Sequence, residues 1–175
     1  SRQVTGVQTC ALPIYAGAGH LGTVEFNSST LYRYSTVNIA ELMENGLSID
    51  EVCDVLSGYL EAFIKAMPTG KQNTFANRTL PCFTYVTIRE DQPINMAGAF
   101  EKAVTGNGKG YEKDSIDAFL EYTKKVYENY AEYPKKSFVV CLDDVNTEAE
   151  RVKMKDLARL VEKEIRNYKI GRAHV

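Results

Sequence analysis

The amino-acid sequence predicts an α+β fold, and three observations carry that prediction. β-branched and aromatic residues crowd into two stretches, residues 23–39 and 81–89, as strands require. Between them Ile49, Val52, Leu56, Leu60, Phe63 and Met67 recur at spacings of three and four, the stripe of an amphipathic helix. Beyond residue 89 helical patterns alternate with one short apolar run, residues 138–142. The predicted order is strand, helix, strand, short helix, helix, strand, helix. The β-α-β portion over residues 23–89 suits a split β-α-β sheet of the ferredoxin-like kind, with additional helices. The chain's 175 residues are enough to bury one core.

The first strand is read over residues 23–39, with Asn27-Ser28-Ser29 as a central irregularity or the turn of a hairpin. Arg33 lies between Tyr32 and Tyr34. Either the guanidinium stacks on bases and reaches a phosphate, or the tyrosines share one sheet face and Arg33 is solvated on the other. Ser48 with Glu51 forms a capping box that opens the helix, and Pro68-Thr69-Gly70 ends it.

In the next strand Cys82, Thr84, Val86 and Ile88 point one way and Phe83, Tyr85, Thr87 and Arg89 the other. Apolar residues on both faces predict a central strand. Pro93 permits a turn into a short helix, where Ala97, Gly98 and Ala99 allow close backbone approach. The glycine-rich stretch over residues 105–113, TGNGKGYEK, is a surface loop. It lacks the preceding strand and the Gly-Lys-Ser/Thr ending of a phosphate-binding loop. Asp114 or Ser115 caps the following helix, which carries Ile116, Phe119, Leu120, Val126 and Tyr130. Thr147 with Glu150 reads as a capping box for the last helix, with Val152, Leu157, Leu160, Val161 and Ile165.

The two ends differ from the rest. VTGVQTCALPI (residues 4–14) and IGRAHV (residues 170–175) resemble translations of the two arms of a sequencing adapter. We therefore expect residues 1–14 and 170–175 to be artefactual and the body to span residues 15–169. That body holds one histidine, His20, and three separated thiols, Cys53, Cys82 and Cys141, each read as a small buried hydrophobe. With no CxxC and no histidine pair, no metal site and no cofactor is expected. The odd thiol count without a signal peptide, and the lack of any long apolar window, predict a soluble cytoplasmic protein with no membrane partner.

The formal charge of −2 argues against coating by nucleic acid through bulk charge, so charge must be read locally. No Asp or Glu occurs between Glu61 and Glu90, whereas Lys65, Lys71, Arg78 and Arg89 do. Gly70, Lys71, Gln72, Asn73, Thr74 and Arg78 place cations and neutral donors in one turn. That set suits phosphate and 2′-hydroxyl contacts without base choice, or equally a polar loop that hydrogen-bonds itself. The acidic pairs Glu90-Asp91 and Asp143-Asp144 read as turns or caps, and Lys124, Lys125, Lys135 and Lys136, beside Glu128 and Glu132, as a solvated face. A catalytic reading would use His20 as the group titrating near neutrality, with Lys71 and Arg78 stabilising a pentavalent phosphate in a metal-independent endoribonuclease.

MPTGKQNTFANRTLPCFTYVTIREDQPINMAGAFEKAV (residues 67–104) and HLGTVEFNSSTLYRYSTVNIAEL (residues 20–42) resemble, in order, the CasC-type backbone subunit of the type I-E CRISPR Cascade effector. The resemblance covers roughly residues 16–165 and the C-terminal half of such a subunit. It implies an RNA-recognition-motif-like palm, of which this chain holds the C-terminal part. It also implies a non-enzymatic antiviral role in binding CRISPR guide RNA (crRNA). The implied partners are guide RNA, copies of itself, other Cascade subunits and, through guide pairing, a target DNA strand. His20 and Leu21 would then sit at the base of a thumb that folds over the RNA. Metal-independent guide-RNA processing is the alternative. Half a palm would expose a sheet edge, so the chain alone is expected to be marginal or aggregation-prone.

Overall fold

The computed structural model describes residues 29–70, 72–76, 78–106 and 108–172, without the side chains of residues 74, 75 and 168–172. The chain divides into two units, Ser1–Leu31 and Tyr32–Val175. The described part of the first, residues 29–31, has no regular structure. The rest of the description concerns the second.

Among the described residues the sheet has three strands: β1 (Phe83–Ile88), β2 (Lys136–Cys141) and the two-residue β3 (Glu150–Arg151). β1 runs antiparallel to β2, from Phe83 opposite Cys141 to Ile88 opposite Lys136. β3 is parallel to β2, with Phe138 opposite Glu150. The order is β1-β2-β3, so β2 is central and β1 is an edge among the described residues. The helices are α1 (Ile39–Glu44), α2 (Ile49–Lys65), the single turn α3 (Gln72–Phe75), the 3-10 helix Met96–Phe100, α4 (Glu112–Asn129) and α5 (Met154–Arg172). This is an α+β architecture of the ferredoxin-like palm type.

The alternation predicted for β1 holds, but among the described residues β1 has a strand on one side only rather than the central position expected. Val86 and Ile88, with Phe138 and Val140, pack into a core of Val52, Leu56 and Ile64 from α2 and Leu157, Val161 and Ile165 from α5. Phe83 and Tyr85 pack the other way, against Met96 of the 3-10 helix and Phe119 and Tyr127 of α4. Helices on both sides make both faces of an edge strand apolar, whatever its place in the sheet.

Ser48 and Glu51 form the predicted capping box: Glu51 N donates to Ser48 Oγ at 3.3 Å, and Ser48 N donates to Glu51 Oε2 at 2.8 Å. The Ser48 backbone N–H foremost, and then the Ser48 hydroxyl, which donates to Glu51 Oε2 at 2.8 Å, hold the Glu51 carboxyl below its ordinary range. Two other helix starts differ from the sequence expectation. α4 begins at Glu112, because Ser115 Oγ donates back to the Tyr111 carbonyl at 2.6 Å rather than capping a later start. Thr147 and Glu150 make no capping box: Thr147 Oγ1 accepts from Ala149 N at 3.2 Å, and Glu150 joins β3 and pairs with Lys136 at 2.6 Å. The last helix therefore starts only at Met154.

The strand expected over residues 23–39 is also overturned where it is described. Residues 29–38 have no regular structure, and Ile39 opens α1, capped by Asn38, whose side chain accepts from Glu41 N at 3.2 Å. Residues 23–28 lie outside the described residues. The β-rich composition of residues 32–35 serves tertiary contacts instead. Tyr32 Oη donates to Asn95 Oδ1 at 3.1 Å and accepts from Met96 N at 3.2 Å, and its ring packs on Phe100 and Phe119.

Close approach by the small residues of the 3-10 helix is realised at Gly98. A Cβ there would lie 2.7 Å from Tyr122 Cζ, well inside contact distance. Gly98→Ala should therefore destabilise the fold by about 1–3 kcal/mol through overpacking. The loss should shrink when Tyr122 is first cut to Ala. A urea-melt double-mutant cycle measures this coupling, and purely additive losses would discount the contact.

Candidate nucleic-acid interface

The acid-free stretch starts where α2 ends. Lys65 is the last helical residue, paired to Glu61 one turn back at 2.6 Å in an exposed ion pair. Ala66, the C-cap, is already extended, with φ −73° and ψ 129°. Pro68 follows and cannot continue a helix, so the chain leaves the α2 axis. Gln72–Phe75 then makes one helical turn, and Ala76 takes a left-handed φ of 49°. Arg78 N donates to the Ala76 carbonyl at 2.7 Å, and β1 begins at Phe83.

These turns enclose an open groove of about 330 Å³, lined by Lys65, Met67, Pro68, Thr69, Gln72, Arg78, Thr79 and Leu80. The Gln72 amide lies against the Arg78 guanidinium. With its oxygen turned inward it accepts from Nη2 at 2.7 Å and also from Nε. Arg78 is exposed, and among the described residues it has no carboxylate partner. A cation held by a neutral amide keeps its full charge for an incoming anion.

Of the predicted site residues, the structure brings Gln72 and Arg78 together at this groove and leaves Asn73 exposed on α3. Gly70 precedes the turn; a Cβ there meets nothing within 4 Å and its φ is not left-handed, so this glycine is not sterically required. Thr74 lies on α3, with its side chain outside the description. Lys71, His20 and Leu21 lie outside the described residues. The groove also recruits Met67, Pro68, Thr69 and Leu80, which sequence reasoning did not assign; no local pattern marks them.

Two arginines are placed differently from expectation. Arg89, counted in the basic stretch, is withdrawn from it: its side chain is 7% exposed. Nε and Nη2 donate to Asp91, Nη2 to the Glu132 carbonyl at 2.7 Å and Nε to the Gln92 carbonyl at 3.3 Å. Its guanidinium also lies over the Tyr127 ring. Burial pushes the Tyr127 hydroxyl well above its ordinary range. Arg33 neither lies on a sheet face between tyrosines nor stands free in solvent. Its Nη1 donates to the Ala66 carbonyl at 2.8 Å, and its guanidinium carbon sits 4.6 Å from the centre of the Phe63 ring.

The remaining charges behave as solvated or structural groups. Lys124, Lys125, Lys135 and Lys136 pair with Glu128, Glu121, Glu90 and Glu150, and Asp144 pairs with Arg151. Cys53 is buried and its thiol is pushed up by desolvation; Cys82 and Cys141 are half-buried, not fully enclosed as expected. Among the described residues no cluster of His, Cys, Asp or Glu could hold a metal, and no helix is long and apolar enough to cross a membrane.

Residues 14–163 match a known family, that of the CT1975-like proteins. The chain belongs to this family. Its structure is similar to that of a chain from a "CRISPR RNA-guided surveillance complex". The TM-score is 0.67 and the identity 25%, over 74% of this chain and 50% of the other. A second likeness, to a "CRISPR RNA-guided surveillance complex, pre-nicking", has a TM-score of 0.67 and 26% identity, over 73% of this chain and 39% of the other. This CT1975-like chain thus spans half or less of each of these two solved chains. No curated protein matches it. The two sequence blocks that carry the Cascade resemblance, residues 20–42 and 67–104, both lie within the matched span.

Proposed function

We propose that the chain is a guide-RNA-binding backbone subunit of a CRISPR surveillance complex of the Cascade type, without catalytic activity, acting in antiviral defence in the cytoplasm. It holds RNA through phosphates and 2′-hydroxyls without reading sequence. It assembles with copies of itself and other subunits, and meets target DNA only through guide pairing. The observation that carries this reading is the acid-free loop at the end of α2, where Arg78 is exposed, faces a groove shared with Lys65 and is oriented by Gln72. An acidic chain that keeps every carboxylate out of one loop concentrates an attractive field there. The family and the two structural likenesses supply the biological setting.

The test is filter binding of two unrelated guide RNAs at several salt concentrations. Lys71→Ala and Arg78→Ala should each weaken binding equally for both RNAs and lower the log-log salt slope by about 0.7, as for one phosphate contact on a single strand. An unchanged slope in both variants would remove the loop from the RNA site. Incubation with repeat-containing RNA tests the absence of catalysis, since site-specific cleavage lost in His20→Ala would establish the endoribonuclease instead.

A further inference from the structure

We infer that Arg33 is a positioning residue for the loop over residues 67–80: it fixes the direction in which the chain leaves α2 and thereby sets the loop's cations. This rests on the reading above that the loop holds RNA. The geometry behind it is independent of that reading.

The last carbonyls of a helix have no partner within it, and a cation near them is favoured by the helix dipole. Ala66 is both the C-cap of α2 and the first residue with extended backbone, so its carbonyl sits at the point of departure. Arg33 bonds that carbonyl at 2.8 Å from 33 residues away. Its guanidinium also covers the Phe63 ring, one turn earlier, so both the helix end and the exit are gripped by one side chain. Phe63 in turn stacks on Tyr59 with centroids 5.9 Å apart, and Tyr59 Oη donates to Ser35 Oγ. Residues 33–35 are thus strapped along the last two turns of α2.

The strap is itself anchored. Tyr32, the residue before it, is bonded to Asn95 and to Met96 N at the start of the 3-10 helix. The point where the loop departs is therefore referenced to the core beneath the opposite sheet face. Lys65 and Met67 flank Ala66 and both line the groove, so a rotation at Ala66 displaces groove-lining residues on either side of it.

Arg33→Met keeps an apolar stem over Phe63 and removes the cation. It should lower the salt slope by more than the roughly 0.7 of a single phosphate contact, because the loop's two cations, Lys71 and Arg78, are displaced together. The double variant Arg33→Met/Arg78→Ala should lose no more slope than Arg33→Met alone. Arg33→Lys, able to donate to Ala66 and to sit over Phe63, should restore most of the slope. Without RNA, Arg33→Met should speed amide hydrogen exchange over residues 67–80 while leaving the α2 amides around Val52 and Leu56 protected.

Additive slope losses of about 0.7 each would make Arg33 a direct phosphate contact and overturn the inference. So would an unchanged slope and unchanged exchange, which would leave Arg33 a helix cap only. If the wild-type chain shows no salt-dependent RNA binding, the reading of the loop fails instead, while the exchange measurement still decides whether Arg33 holds the exit of α2.

Discussion

Phe138→Ala is expected to lower the stability of the fold by about 3–5 kcal/mol, a large share of the roughly 5–15 kcal/mol that a domain of this size holds. Phe138 lies on the central strand and is 1% exposed. Its ring fills the space between β2, α2 and α5, where Val52 and Leu157 are wholly buried beside it. Truncation removes the transfer energy of the ring and leaves a cavity that two helices and a paired strand are poorly placed to close. Lys136 Nζ, 5.5 Å from the ring centre, loses its aromatic face as well. Urea unfolding followed by circular dichroism measures the change. A loss under about 1 kcal/mol would show that this face of the sheet is not packed as described.

Arg89→Met is expected to cost about 2 kcal/mol, the scale of hydrogen bonds made by a buried charged donor. The guanidinium gathers the turn after β1 and the chain before β2 by bonding Asp91, the Gln92 carbonyl and the Glu132 carbonyl, and methionine can replace only its contact with Tyr127. Nη1 is buried and has no hydrogen-bond partner among the described residues, so part of the stabilisation is offset in the native protein, and the loss stays below that of Phe138→Ala.

The pH dependence gives a second reading of the same residue. The hydrogen bond from Arg89 holds the Asp91 carboxyl below its ordinary range. Its contribution is therefore full above about pH 4, the unfolded value, and is lost as pH falls through the lower folded value. Stability plotted against pH should be flatter on the acid side in Arg89→Met than in wild type. An identical acid limb in both proteins would mean that Asp91 gains nothing from Arg89.

What the sequence could reveal follows from how far apart the deciding contacts lie. The start of α2 was legible because Ser48 and Glu51 decide it within one turn. The two faces of β1 were legible because strand alternation is local; its edge position was not, since that depends on which segment lies beside it. Residues 32–35 look like a strand by composition, yet their fate is set by Ala66 and Asn95, more than thirty and sixty residues away. The two-residue β3 is too short to leave a pattern, and its pairing with β2 displaced the start expected for α5. At the candidate site the basic character of the loop was readable from its lack of acids. That Arg89 turns inward, while Arg78 is held outward by Gln72, required the fold.

The pairing of β1 with β2 has a consequence for how the chain assembles in time. Even the nearest partners, Ile88 and Lys136, are separated by the 3-10 helix and the whole of α4, so the first rung of this ladder closes a long loop. Closure entropy rises only logarithmically with length, but none of it is repaid until the strands meet. α1 and α2, by contrast, are joined by a short turn and touch as neighbours in sequence. The protein thus combines a low-contact-order helical pair with a high-contact-order sheet. The loop over residues 67–80 runs between them, its near end on the quickly formed part and its far end on the part that must wait for long-range closure.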